Sequence, residues 1–282
     1  MDSEASEAKA LRLVVIEPPH GWQRLGVRDL WLHRDLMFFL AWRDIKVRYA
    51  QAYLGVAWAL LQPLLMMVIF TIFIGRLTKL PLEGIPYSVF VFSGLVPWTY
   101  FANAVGGATE SLVVSSNLVS KVYFPRLAVP VGALLAWVPD LIIASVMLLG
   151  LMLLFGVVPA ATSLLIPLFG VFAILAAASI STWLSALNVT YRDVRYAVPF
   201  IIQLWLFATP VIYPASLVPE RWQFLFGLNP MAGVVEGFRW ALFGAESPMW
   251  GMMSVSAIVT LVLFIGGLYN FRRVEHRFAD VI

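Results

Sequence analysis

The sequence predicts an all-α integral membrane fold with six transmembrane helices, an N-terminal amphipathic interfacial helix, and two short helices between spans five and six. Three observations predict it. Of the 282 residues, 61% are hydrophobic and only 12% are charged, about half the charged share of a soluble domain. Six apolar runs approach the roughly 20 residues that a helix needs to cross a bilayer. The lysines and arginines gather beside those runs, which is the membrane pattern.

The elements follow in order. Residues 1–22 form a polar, acidic tail with no basic start and no small-residue cleavage site after an apolar stretch. They read as a cytoplasmic tail rather than a cleaved signal peptide, and residues 23–282 read as one membrane domain. The segment "RDLWLHRDLMFFLAWRDIKVRYAQAYLG" mixes charge with Leu, Phe and Trp. It is too charged to insert, and Trp31, Trp42 and Tyr49 suit a headgroup boundary, so it reads as an interfacial helix. Residues 54–74, 89–109, 131–155, 164–187 and 249–269 then qualify as spans. Residues 196–213 are fewer but carry no charge, and Arg195 and Pro214 flank them.

With six spans both termini share a side. That side carries eleven lysines and arginines near the span ends, and the other carries four: Arg76, Lys79, Arg221 and Arg239. Both termini are therefore expected in the cytoplasm. Two loops face the same side. In "ESLVVSSNLVSKVYFPRLAVP", Ser116 or Asn117 can cap a short helix that Pro125 ends, with Lys121 and Arg126 projecting into water. This is either a docking surface or a connector. "LNVTYRDVRYAVP" packs Arg192, Asp193 and Arg195 into four residues, a charge cluster that topology alone explains.

On the opposite side lies "RWQFLFGLNPMAGVVEGFRWALFG". Pro219 can start a helix that ends at Gly227. Asn229 suits an N-cap, Pro230 the first helical position and Gly244 the stop. The halves, about 12 and 22 Å long, are too short to cross. They either re-enter the bilayer or lie on its outer leaflet. Glu236 and Arg239, three apart, can pair on one helical face.

Asp140, beside Pro139 in the third span, has to face the bundle interior with a polar neighbour, and Asn103 and Gln62 are possible ones. It is either a proton relay or, preferably, a hydrogen-bonded structural acid at a proline kink. Ala173, Ala177, Ser181 and Ser185, each four apart, make a small-residue stripe for close helix packing. Tyr and Trp at span ends suit an interfacial belt; the sharper reading is that some line a conduit and stack on sugar rings. No chemistry of another kind is visible. The chain has no cysteine, no G-x-x-x-x-G-K-[ST] loop and no H-E-x-x-H, and its histidines are His20, His33 and His276. No catalytic residue, metal site, cofactor of its own or nucleic-acid surface is expected, and any energy source is elsewhere.

The pieces "IEPPHGW", "LAWRDIKVRYAQAYLGVAWALLQPL", "SGLVPWTYF", "SSNLVSKVYFPRLAVP", "LNVTYRDVRY", "TPVIYP" and "LNPMAGVVEGFRWALFG" follow one another along the spans. In that order the chain, from about Val15 on, resembles the membrane subunit of the ABC-2 type polysaccharide exporters. These are the permeases for O-antigen, capsule and teichoic-acid chains, and the likeness is greatest to the O-antigen type. The resemblance implies a homodimer in the inner membrane, with two separate ATPase subunits beneath it that use ATP and Mg. It implies that residues 29–49 lie along the inner leaflet and that 116–126 form the helix coupled to the ATPase, with Ser116, Asn117, Lys121, Tyr123 and Arg126, and with Arg192 and Arg195 at the same face. It implies that 219–227 and 230–244 re-enter from outside and gate the exit, with Trp222, Glu236 and Arg239. Spans one and five would line the path, with Tyr53, Trp58, Phe70, Trp205 and Tyr213 against sugar. The cargo is a polysaccharide on a polyprenyl diphosphate, and Arg43, Lys46 and Arg48 are the cations expected near that diphosphate. The alternatives of another class are a proton-coupled porter and a membrane-embedded transferase, each using Asp140.

Overall fold

The computed structural model describes residues 27–50, 57–75, 82, 84–122, 124–244, 249–275 and 278. The tail, Tyr53 and Tyr123 lie outside them. Every regular element among the described residues is helical.

The central helix is α4 (Tyr87–Val114), and Phe92, Leu95, Phe101, Ala104, Ala108 and Leu112 along it are fully buried. We number the rest in chain order. α1 (Val27–Leu32) and α2 (Arg34–Ala50) come first, parted by a turn at His33. α3 (Ala57–Phe70) is continued by a π-helical turn, Thr71–Gly75. After α4 come α5 (Ser116–Lys121), α6 (Ala128–Leu135), α7 (Val138–Leu154), α8 (Ile166–Thr190), α9 (Val194–Ala208), α10 (Glu220–Gly227), α11 (Pro230–Phe243) and α12 (Trp250–Val274).

α8 lies between α4 and α12. The predicted stripe of Ala173, Ala177, Ser181 and Ser185 is buried there, because small side chains let helix backbones approach closely in lipid, where burying apolar surface supplies no drive. α3 packs on α4 and α7, and α9 packs on α4. α2 lays Leu40 and Ala41 on α6, and its other face exposes Phe38, Phe39 and Trp42.

Among the described residues four helices are long and apolar enough to cross a bilayer: Tyr87–Val114, Ala128–Leu154, Ala161–Thr190 and Trp250–Val274. Leu60–Gly75 and Val194–Ala208 are apolar but shorter. Of the six expected spans, four are helices of spanning length and two are shorter apolar helices that by length alone do not qualify. α9 is short because Pro210 disfavours helix at Thr209.

The two halves of the 221–244 stretch fold as their local signals dictate. α10 runs from Glu220 to Gly227. Asn229 caps α11, its side chain accepting from the Met231 N–H at 3.0 Å, Pro230 opens the helix, and Gly244 ends it at φ 66°. α11 is buried along nearly its whole length against α4, α8 and α12. α10 is the exposed partner, with Trp222, Phe224 and Leu225 uncovered.

Candidate functional site

The third span breaks at Ala136–Trp137. Pro139, in the first turn of α7, has no N–H to donate and crowds the preceding turn. Two of the carbonyls at the break are answered by side chains from elsewhere. The Tyr100 hydroxyl donates to Leu134 O at 3.3 Å, and Arg48 Nη1 to Ala136 O at 3.1 Å. Asp140 sits in the first turn of α7, where the helix dipole favours an anion. Its Oδ2 is 3.6 Å from Arg48 Nη1, and the Tyr49 hydroxyl donates to its Oδ1. The Arg48 guanidinium also lies 3.3 Å from the Trp137 ring centroid. Burial, reinforced by the hydrogen bond to Asp140, pushes the Tyr49 hydroxyl up to about 12, so it stays a donor at neutral pH. Asp140 is thus a hydrogen-bonded, ion-paired acid at a helix break.

Beside this cluster a cavity of about 160 Å³ opens between α2, α3, α4 and α7. Trp58 and Gln62 of α3, Asn103 of α4, and Trp137 and Asp140 are among its walls. Gln62 and Asn103 sit where the sequence suggested, near Asp140, yet neither bonds it.

The three cations expected at a diphosphate do not gather. Arg43 pairs with Asp44 on its own helix at 2.8 Å, Lys46 is exposed over the Trp42 ring at 5.5 Å, and Arg48 turns inward to Asp140. On an α-helix, positions 43, 46 and 48 do not share one face, and Asp140 offers Arg48 a fixed anion.

The expected aromatic path residues separate too. Trp58 is 55% exposed, whereas Phe70 is 8% exposed, inside the core with Met67. Trp205 is half-buried, its ring edge-on to Phe101 at 5.3 Å. The Tyr213 hydroxyl donates to Phe207 O at 3.2 Å. The uncovered faces of α3 and α9 carry one amide each, Gln62 and Gln203, both exposed and without a hydrogen-bond partner among the described residues. The outer face of α12 carries Ile258, Leu261, Val262 and Ile265.

A second cluster surrounds the chain from 209 to 213, which is irregular. Arg239 of α11, 5% exposed, reaches it. Its Nη1 donates to Pro210 O at 2.5 Å and to Tyr213 O at 3.3 Å, and its Nη2 to Val211 O at 2.6 Å. Tyr87 donates to Ile212 O at 2.9 Å, and Asn229 Nδ2 to Thr209 Oγ1 at 2.8 Å. The Phe90 ring centroid lies 3.7 Å from the guanidinium. Gly94 makes this possible: a Cβ there would meet Arg239 Nη2 at 3.0 Å and Val211 O at 3.2 Å. The expected Glu236–Arg239 pair makes no direct ion contact, although the two charges act on each other. Carbonyls with no helical partner offer a forked cation several acceptors at once, and Arg239 takes them.

At the opposite end of the bundle, α5 forms as expected, but its N-cap is Ser115 and no side chain caps it. Ser116 and Asn117 are its first helical residues. Lys121 is exposed, as are Arg192 and Arg195. Arg126 does not project into water. Its N–H donates to Glu275 Oε1 at 2.8 Å, its Nη1 donates to Glu275 O, and Arg272 holds Glu275 Oε2 at 2.9 Å. The loop after α5 is thereby tied to the end of α12. Further along α12, Ser256 Oγ donates to Gly227 O at 3.0 Å and Asn229 O at 3.1 Å, and accepts from the Gly233 N–H at 3.1 Å.

Sequence reasoning missed Glu275, Ser256, Trp137 and Tyr87. Only Glu275 had a signal, as an acid inside the run "RRVEHR". Among the described residues no cluster of His, Asp or Glu is suited to a metal.

A family profile described as ABC-2 type transporter matches residues 35–243. The chain is 28% identical to the O-antigen export system permease protein RfbA of Myxococcus xanthus, over 91% of this chain and 98% of that protein. It is 25% identical to the protein of the same name in Klebsiella pneumoniae, over 88% and 95%. It is 24% identical to the polysialic acid transport protein KpsM of Escherichia coli, over 82% and 90%.

Proposed function

The chain belongs to the ABC-2 type transporter family, and on that premise we propose that it is the transmembrane subunit of an ATP-driven exporter for a polyprenyl-diphosphate-linked polysaccharide of O-antigen type. The observation that carries this reading is the likeness to an O-antigen export permease across 98% of that protein, which leaves no large part of the relative unmatched. Export of a capsular polysaccharide is the second reading, supported by the likeness to the polysialic acid transport protein.

In this reading two copies pair in the inner membrane with both termini in the cytoplasm, and two ATPase subunits hold ATP and Mg beneath them. α3 and α9 complete six crossings. Leu60–Gly75 and Val194–Ala208 are about 24 and 22 Å long, short of the roughly 30 Å hydrocarbon core. The irregular chain at 209–213 extends α9, and its carbonyls are answered by Arg239 and Tyr87, the condition for non-helical backbone at membrane depth. α10 and α11 re-enter from outside, a reading supported by the burial of α11 within the bundle. Trp222 marks the outer edge of that gate, with Glu236 and Arg239 behind it.

The polysaccharide path runs along α3 and α9, past Trp58, Trp205 and Tyr213. Support comes from the amides Gln62 and Gln203 on their uncovered faces, groups that lipid solvates poorly. Ser116, Asn117, Lys121, Arg192 and Arg195 form the ATPase-facing surface, and Tyr123 and Arg126 belong to the same loop. The chain itself does no covalent chemistry.

The test is reconstitution of the chain in vesicles with an ATPase subunit from the same cells. The expected result is ATP-dependent passage of lipid-linked polysaccharide, abolished by charge reversal of Lys121. Transport without ATPase, or ATP hydrolysis by the chain alone, overturns the reading.

A further inference from the structure

Gln62 and Asn103 have no hydrogen-bond partner among the described residues, and both border the cavity beside Asp140. Polar groups in such a setting are costly unless something polar meets them. The space, about 160 Å³, holds several waters or a small ring.

The chemistry of the walls narrows the occupant. Two amides supply donors and acceptors. The charges cancel, because Arg48 is paired with Asp140 at 3.6 Å. A phosphate would find no free cation there and would meet a carboxylate. One face of Trp137 is covered by the Arg48 guanidinium at 3.3 Å, while Trp58 is 55% exposed and offers a flat apolar face. Paired donors and acceptors beside one open indole match a neutral polyol ring. Gln62 also begins the uncovered stripe of α3, which continues through Leu65, Ile69 and Phe73.

We propose that this cavity seats one neutral sugar ring of the lipid-linked saccharide, at the foot of the path along α3. The proposal rests on the exporter reading. It also assigns Arg48 a positioning role, since it holds Asp140 and Trp137 in place and leaves the diphosphate to other groups.

The test uses the chain in complex with its ATPase partner in lipid nanodiscs. Binding of a polyprenyl diphosphate carrying one N-acetylhexosamine is compared with binding of the same lipid without sugar. The sugar-bearing lipid is expected to bind about tenfold tighter. Gln62→Leu and Asn103→Leu each reduce that preference to less than twofold, while Ile265→Ala, on the outer face of α12, leaves it intact. Trp58→Ala removes an exposed side chain and reads the same preference should the leucine variants fail to assemble. Equal affinity of the wild-type complex for the two lipids, or a tenfold preference retained in the variants, overturns the sugar seat and leaves the exporter reading standing. Failure of both lipids to bind overturns the exporter reading itself.

Discussion

Two guanidiniums reach into apolar packing, and each is satisfied differently. Arg48 meets a carboxylate, a carbonyl and an indole. Arg239 donates to carbonyls and lies on a phenyl face. The first arrangement is a pair, so removing one member strands the other. Asp140→Leu is expected to lower the unfolding midpoint in detergent more than the double variant with Arg48→Leu, because the double variant leaves no uncompensated charge; simple additivity of the two losses would count against the pair. Arg239 is a fork across three carbonyls, a geometry that an ammonium cannot reproduce. Arg239→Lys, though it keeps the charge, is expected to cost about 2 kcal/mol through lost charge-assisted hydrogen bonds. An unchanged thermal midpoint would remove that role.

Among the elements, α10 and α11 were the most legible. Pro219, Gly227, Asn229, Pro230 and Gly244 are local signals, and each acted where it stands. The partners of Arg239, Arg126 and Arg48 were not legible, because spacing reports only on a residue's own helix. Glu236 lies one turn from Arg239, yet the broken end of α9 brings three carbonyls within reach of the guanidinium at once. Arg126 follows Pro125 in a loop, and only the fold brings Glu275 to it. That tie has a consequence for the loop after α5. Glu275→Ala is expected to raise amide exchange across residues 116–122 at least tenfold, and Glu275→Gln, which keeps an acceptor for the Arg126 N–H, to raise it less. Equal protection in all three proteins would mean that α5 is held by its own packing through Val119.

For the whole molecule, the outward faces differ in kind. α12 turns aliphatic side chains outward, whereas α3 and α9 turn out an amide each. Composition announced a membrane protein, but which helix faces lipid and which faces a polar path depends on packing that no periodicity in α3 or α9 displays. The chain has no native thiol, so single cysteines report without background. Gln62→Cys and Gln203→Cys are expected to react with a charged, membrane-impermeant thiol reagent at least tenfold faster than Ile258→Cys. Equal rates at the three positions would place all of these faces in lipid. α12 itself is held at two points, Glu275 by the loop after α5 and Ser256 by the turn between α10 and α11. Nineteen residue steps, about 28 Å of helix, separate the two points. Arg126 at one end and Gly227 and Asn229 at the other are therefore joined through a single helix with no loop between them.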